Sequence, residues 1–193
     1  MVYESKNFTG LIGIEGLSEN LLNNHFKLYE GYVKNTNDIL AVLNKFSKEG
    51  KSNTPEFAEL KRRFGWEFNG MRLHEYYFEN ITKSSKGIDK KSGLFKKIAE
   101  DFGSYEEWEK NFKASGGMRG IGWVVLYYDE AAKKLFNVWV NEHDSGHLAG
   151  ASVILVMDVF EHAFITDYGL KKAEYIEAFF KVIDWKSVAE RFE

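Results

Sequence analysis

The 193-residue sequence contains no cysteine, which excludes a disulfide framework, thiol catalysis, a cysteine-ligated iron-sulfur cluster and a thiolate zinc site. Any metal must therefore rest mainly on His, Asp or Glu. The single proline, Pro55, follows Thr54 and suits the first position of a helix. No segment approaches about 18 uninterrupted apolar residues, and the opening MVYESKNFTGLIGIEG lacks a basic stretch followed by a long apolar run. The expectation is a cytoplasmic protein that does not act on membranes. Neither sign of charge dominates: 26 basic against 29 acidic residues leave a formal net charge of −3, so no global field favours nucleic acid or an anionic bilayer as partner. What the chain does have is 44% hydrophobic, 16% aromatic and 28% charged residues, the composition of a soluble globular protein with an aromatic-rich interior. The length allows one domain or two small ones.

From Ser18 to about Phe46, residues such as Leu21, Leu22, His25, Tyr29, Tyr32, Ile39 and Leu43 recur near helical spacing behind Ser18, a good N-cap. The pattern predicts one long helix with at most one break. After the polar stretch SKEGKSNTP, a second helix is predicted from Pro55 to about Ile81, and Gly65 and Gly70 inside it point to a closely approaching backbone. Two such helices joined by a short loop make an antiparallel hairpin. The polar, basic run TKSSKGIDKKSG, residues 82–93, is the predicted linker, dividing the chain into a helical-hairpin domain, residues 1–85, and an α/β domain, residues 86–193. In the second part, Leu94 to Phe102 reads as a helix, and Ser104 with Glu107 as a capping box for another. The period then changes. GWVVLYYD, KLFNVWVNE and ASVILVMD are rich in β-branched and aromatic residues and predict a three-stranded antiparallel sheet. Helical stretches near Ala163 to Tyr168 and Lys172 to Ile183, and a closing WKSVAERF, complete an α+β fold.

Five histidines are available: His25, His74, His143, His147 and His162. His25 shares a helix face with Tyr29 and Tyr32, within about 40° around the axis. His74, in MRLHEYYF, can come opposite His25 across the hairpin. Asp158 ends the third strand and His162 follows in DVFEHAF, a spacing that could point both side chains one way across a helical turn. Three imidazoles and one carboxylate form a donor set suited to Mn, Fe, Zn or Co rather than to calcium or Cu(I). The plainer reading makes each histidine a buried residue with one hydrogen bond, and Asp158 with His162 a helix ion pair. Spacing alone does not choose between the two. His147 reads as a solvent-exposed loop residue.

Several longer stretches carry a resemblance. DVFEHAF (158–164), EYIEAFFKVIDWKSVAERF (174–192), DFGSYEEWEKNFKASG (101–116), GIGW (120–123), HFKLYEGYVKNTN (25–37) and LHEYYFEN (73–80) are similar to the iron/manganese superoxide dismutase family, in the family's order, from about residue 17 onward. Asp-x-aromatic-Glu-His-Ala is the most specific of these motifs. The resemblance implies a helical hairpin followed by an α/β domain with a three-stranded sheet and one metal between them. It implies His25, His74, Asp158 and His162 as protein ligands, with a fifth position left for water or hydroxide. Tyr32 resembles the tyrosine guarding the substrate channel, Trp123 the tryptophan walling the site, and Glu161 the glutamate that reaches the second subunit's counterpart of His162, which implies a homodimer or higher oligomer. The family's outer-sphere Gln or His would fall at Gly70, which has no side chain, or in NEHD, where His143 can donate to bound solvent and Glu142 is the alternative.

This sequence departs from the family's pattern in several places. Tyr32 follows His25 by seven residues rather than eight, leaving Tyr29 as a rival gate. Leu28 or Tyr29 stands where a histidine is usual, Ile165 where a tyrosine pairs with it across the dimer, and Phe78 and Phe160 where tryptophan is common. The implied activity is conversion of superoxide to O₂ and H₂O₂ by one iron or manganese ion cycling between +3 and +2, with iron slightly favoured because a His-type outer-sphere residue is compatible with it. Lys27, Arg72, Lys171 and Lys172 are candidates for a local basic mouth, each also readable as part of a solvated helix face. Two readings from other classes stand beside this one: a hydrolase using the same ligands around zinc, and a non-catalytic interaction protein that keeps the fold but lacks the dimer-relay residues.

Overall fold

The computed structural model describes residues 2–192, so residues 1 and 193, the outermost of the two expected domains, lie outside it. Helix α1 runs unbroken from Glu19–Lys48 and α2 from Pro55–Glu79. Each starts as its sequence dictates. Ser18 Oγ accepts the Leu21 N–H at 3.1 Å, and Thr54 Oγ1 accepts that of Phe57 at 3.3 Å with Pro55 in the first turn. The break allowed for in α1 is absent. Its buried stripe, including Leu21, Leu22, His25, Phe26, Tyr29, Val33 and Ile39, lies against α2, which buries Met71, Leu73, His74, Tyr77 and Phe78.

Helices α3 (Gly93–Phe102) and α4 (Tyr105–Gly116) follow, α3 ending at Gly103, whose φ of +88° is the left-handed conformation glycine adopts freely. Strands β1 (Gly122–Asp129), β2 (Lys134–Asn141) and β3 (Ser152–Asp158) form an antiparallel sheet in the order β2-β1-β3. β1 is central and almost wholly buried. Its pairing with β2 is continuous, whereas its pairing with β3 shifts register between Leu126 and Tyr127. A 3₁₀ turn (Glu161–Ala163) and helices α5 (Ile165–Tyr168), α6 (Lys172–Val182) and α7 (Trp185–Glu190) close the chain. One continuous cluster of buried side chains reaches from Leu22 on α1 through Tyr77 and Phe78 to Val124, Val156 and Phe179.

Several expectations need correction. Residues Thr9–Leu11 form a 3₁₀ turn that no periodicity announced. β2 stops at Asn141, one residue before Glu142, which takes φ +50° and turns the chain away. Asp158 and His162 do not lie on one helical turn: β3 ends at Asp158, and His162 sits in the 3₁₀ turn after it. Gly65 is not approached closely, and what presses on Gly70 is a side chain. A Cβ on Gly65 would meet nothing within 4 Å, whereas one on Gly70 would come 2.7 Å from Cδ1 of the Tyr32 ring. Among the described residues, no helix is long and apolar enough to cross a membrane.

The end of α2 is anchored to the strand that carries Asp158. Asn80, fully buried, donates from Nδ2 to Val156 O at 2.6 Å, accepts from Arg191 at Oδ1, and receives the Asp184 N–H at its carbonyl at 2.6 Å. Truncating Asn80→Ala leaves Val156 O and Arg191 short of partners, a cost of about 2–3 kcal/mol and a melting temperature lower by about 5–10 °C. Thermal unfolding of the purified variant measures this; a change within 1–2 °C, roughly, would mean that solvent replaces the lost contacts.

Candidate metal centre

Four segments converge on one carboxylate. α1 presents His25, α2 presents His74, the end of β3 presents Asp158 and the following 3₁₀ turn presents His162. One donor atom from each lies within 4.8 Å of all the others. Asp158 Oδ2 is 3.1 Å from His25 Nε2, 3.1 Å from His162 Nε2 and 3.8 Å from His74 Nε2. Atoms sharing one ion at about 2.0–2.2 Å are separated by such distances. His25, His74 and Asp158 are fully buried, and the His162 side chain keeps 22% exposure.

A second observation tests whether these residues fit a metal. His74 Nδ1 lies 2.6 Å from Gly70 O, which can only accept, so the ring proton is on Nδ1 and Nε2 carries a bare lone pair. That Nε2 is buried and without a hydrogen-bond partner. Such an orphaned acceptor beside a carboxylate is costly in a protein interior unless a cation meets it, and a ring whose other nitrogen donates to a carbonyl is the usual support for a ligating histidine. The donor set fits an iron or manganese ion.

Electrostatics agree. Burial alone raises the Asp158 carboxyl, but the charge and hydrogen bond of His162 and the hydrogen bond of His25 outweigh it and hold the group well below the usual carboxylate range. Its Oδ1 accepts the Phe160 N–H at 2.8 Å, and its carbonyl accepts the Tyr175 hydroxyl at 2.7 Å. Burial pushes His25 and His74 down, so both rings stay neutral; His74 Nε2 already offers its lone pair, whereas His25 Nε2 donates to Asp158 Oδ2 and ligates only once that proton leaves it.

Beside the cluster stands a second group. His143 is fully buried and stacks on Phe160 with ring centres 4.7 Å apart. Its Nδ1 accepts the indole N–H of Trp123 at 3.0 Å. The His143 proton is thereby assigned to Nε2, which donates to the Tyr32 hydroxyl at 2.9 Å and leaves the phenolic proton free to point elsewhere. Tyr32 stacks on His74, centroids 5.1 Å apart, in the space that Gly70 leaves open. Glu142 is exposed, and its carboxylate accepts from Trp66 Nε1 at 3.0 Å. Tyr29 faces the other way, its hydroxyl donating to Glu75 at 3.0 Å and accepting from Lys6 N at 2.9 Å.

Glu161 is exposed beside His162. The basic candidates are mostly engaged: Arg72 pairs with Glu75, Lys171 with Glu174, and Lys172 donates to Met118 O at 2.6 Å, while Lys27 is simply exposed. Sequence reasoning missed Trp66, whose ring covers His143 at 4.4 Å. It also misjudged His147, which is half-buried with both ring nitrogens bonded.

Comparison with known proteins accords with the site. Residues 90–191 match the family model described as iron/manganese superoxide dismutases, C-terminal domain. "Superoxide dismutase [Mn] 2" of Haloferax volcanii is 37% identical over 178 residues, 92% of this chain and 87% of that protein. "Superoxide dismutase [Fe]" of Cupriavidus metallidurans is 38% identical, covering 93% of this chain and 90% of the relative. "Superoxide dismutase [Mn]" of Haloarcula marismortui is 44% identical over 124 residues, 64% of this chain and 60% of its own length.

Burial lowers the His143 imidazole to about 4. Unfolding returns it to about 6.5, so between these values the unfolded chain binds more protons than the folded one. The metal-free protein therefore loses stability as pH falls from about 6.5 to about 4, by up to about 1.4 kcal/mol per pH unit for this one group, with His25 and His74 adding to the slope. Urea unfolding at a series of pH values should show a shallower slope in His143→Gln than in the wild type.

Proposed function

The chain belongs to the iron/manganese superoxide dismutase family, and from that membership and the site geometry we infer that it is a superoxide dismutase with His25, His74, Asp158 and His162 as its metal ligands. The observation that carries the assignment is the bare, buried Nε2 of His74 among three further donor atoms. When bound, the iron or manganese ion supplies the one-electron couple between +3 and +2 that oxidises one superoxide to O₂ and reduces the next to H₂O₂.

The chain's own residues supply the protons and the enclosure. Two superoxide anions and two protons give one O₂ and one H₂O₂. In this reading, the phenolic proton of Tyr32 and the Nε2 proton of His143 are the protein-held protons at the cluster. Burial pushes the Tyr32 hydroxyl further above the ordinary tyrosine range, and Trp123 keeps the His143 proton on the nitrogen that faces Tyr32. Tyr32, rather than Tyr29, is then the gate, and His143, rather than Glu142, the outer-sphere residue. Trp123, Phe160 and Phe78 exclude bulk water from the donors.

We also read the centre as lying between a helical-hairpin domain, residues 1–85, and an α/β domain, residues 86–193, in a cytoplasmic homodimer. The exposure of Glu161 and of part of His162 supports a second copy docking there.

Elemental analysis of protein isolated without added metal, with an assay of superoxide consumption, tests the assignment and identifies the ion. Asp158→Ala and His162→Ala should each lose the metal while the polypeptide stays largely helical; full occupancy in either would remove that residue from the ligand set. His143→Ala should keep the metal and lose about 10–100-fold in activity, with Glu142→Gln nearly silent. An inert His143→Ala beside a crippled Glu142→Gln would transfer the role to Glu142. Glu161→Ala should weaken the dimer in light scattering without removing a ligand; a wild-type protein that is monomeric at high concentration would sink that part.

A further inference from the structure

β1 carries Trp123 and Tyr127 on one face, because alternate residues of a strand point the same way and its pairing with β2 runs unbroken. The loop after β2 carries His143 and His147 at the same separation in sequence. The two spacings meet: Trp123 Nε1 donates to His143 Nδ1 at 3.0 Å, and the Tyr127 hydroxyl lies 2.6 Å from His147 Nδ1. His147 then reaches back, its Nε2 lying 2.8 Å from the backbone oxygen of His143. A carbonyl only accepts, so His147 carries a proton on Nε2, and its Nδ1 is the atom that meets the Tyr127 hydroxyl. Burial raises the Tyr127 hydroxyl to about 12, so the proton stays on its oxygen.

The loop between has little slack. Asn141 and Ser145 exchange backbone hydrogen bonds of 2.7 and 3.3 Å, and a Cβ on Gly146, at φ +106°, would come 2.8 Å from Trp139 O. His143 is thus held at its ring by one residue of β1 and at its carbonyl, through His147, by another.

We propose that His147 is a positioning residue for the metal centre: by tying the His143 carbonyl to Tyr127, it fixes where the His143 imidazole meets Tyr32. The proposal rests on the reading of His143 given above. It requires that His147 matter to the redox properties of the site although it touches no ligand of the cluster, and that its two bonds act as one unit with Tyr127.

The test uses the metal-loaded protein. His147→Leu removes both bonds, Tyr127→Phe removes one hydroxyl, and His147→Gln keeps an amide that can donate to the carbonyl and accept from the phenol. Reduction potential, optical spectrum, metal content and kcat are measured for each, with His143→Ala alongside. The expected result is full metal content in all, with the potential and spectrum of His147→Leu and Tyr127→Phe displaced in the direction of His143→Ala. Turnover should fall on the order of tenfold, His147→Gln should recover it, and the Leu/Phe double variant should be no worse than either single one. Wild-type potential and spectrum in both His147→Leu and Tyr127→Phe, with only a lower melting temperature, would make His147 a structural loop residue and overturn the proposal. The same null effect extending to His143→Ala would overturn the reading of His143 with it.

Discussion

A single carboxylate without solvent, that of Asp158, makes heavy demands on the polypeptide around it. An ionised carboxyl group in a protein interior is tolerable only when hydrogen bonds and opposite charge replace the water it has lost. Here the Phe160 N–H meets one oxygen and the imidazoles of His25 and His162 meet the other, while Tyr175 holds the residue's own carbonyl. Those partners arrive from opposite ends of the chain. Two long helices packed along each other bring His25 and His74 to the same depth, and the central strand holds Asp158 in register with Trp123. Asn80 and Arg191 then fasten the helix pair to the strand that bears the charge.

Much of this was readable in the residues. The caps Ser18, Thr54 and Ser104 stand where their helices start, and the change of period after Gly122 marks the sheet, because local hydrogen bonding and side-chain alternation decide those features. The donor residues were legible as a chemical set. Their convergence was not, since the distance between His25 and His74 depends on how two helices pack, which neither helix encodes alone. The helical-turn reading of Asp158 and His162 failed for a related reason: a strand followed by a 3₁₀ turn delivers two side chains to one point as well as a helix does.

The segment from Glu142 to His147 resisted prediction most. A residue with φ +50° reverses the alternation of strand faces, so inward and outward positions cannot be counted from β2. His147 follows the polar run HDSG and looked like a solvated loop residue; its partners, Tyr127 and the His143 carbonyl, are supplied by tertiary structure. Trp66 was hidden likewise, because its partners His143 and Glu142 lie in the loop after β2, far from it in sequence.

The missing side chain at Gly70 has a consequence for how such a site can diverge. Tyr32 lies flat in the volume that any Cβ at that position would enter, at 2.7 Å from the ring. A hydrogen-bond donor on the helix and Tyr32 in its present pose therefore exclude each other, and the donor sits on the loop instead, as His143. Moving it from one element to the other takes at least two substitutions and a shifted ring. Each intermediate on that path has either a steric clash above His74 or a Tyr32 without its His143 partner. The position of the buried donor that meets Tyr32 is thus set jointly by Gly70 and by the loop after β2, and no single substitution relocates it.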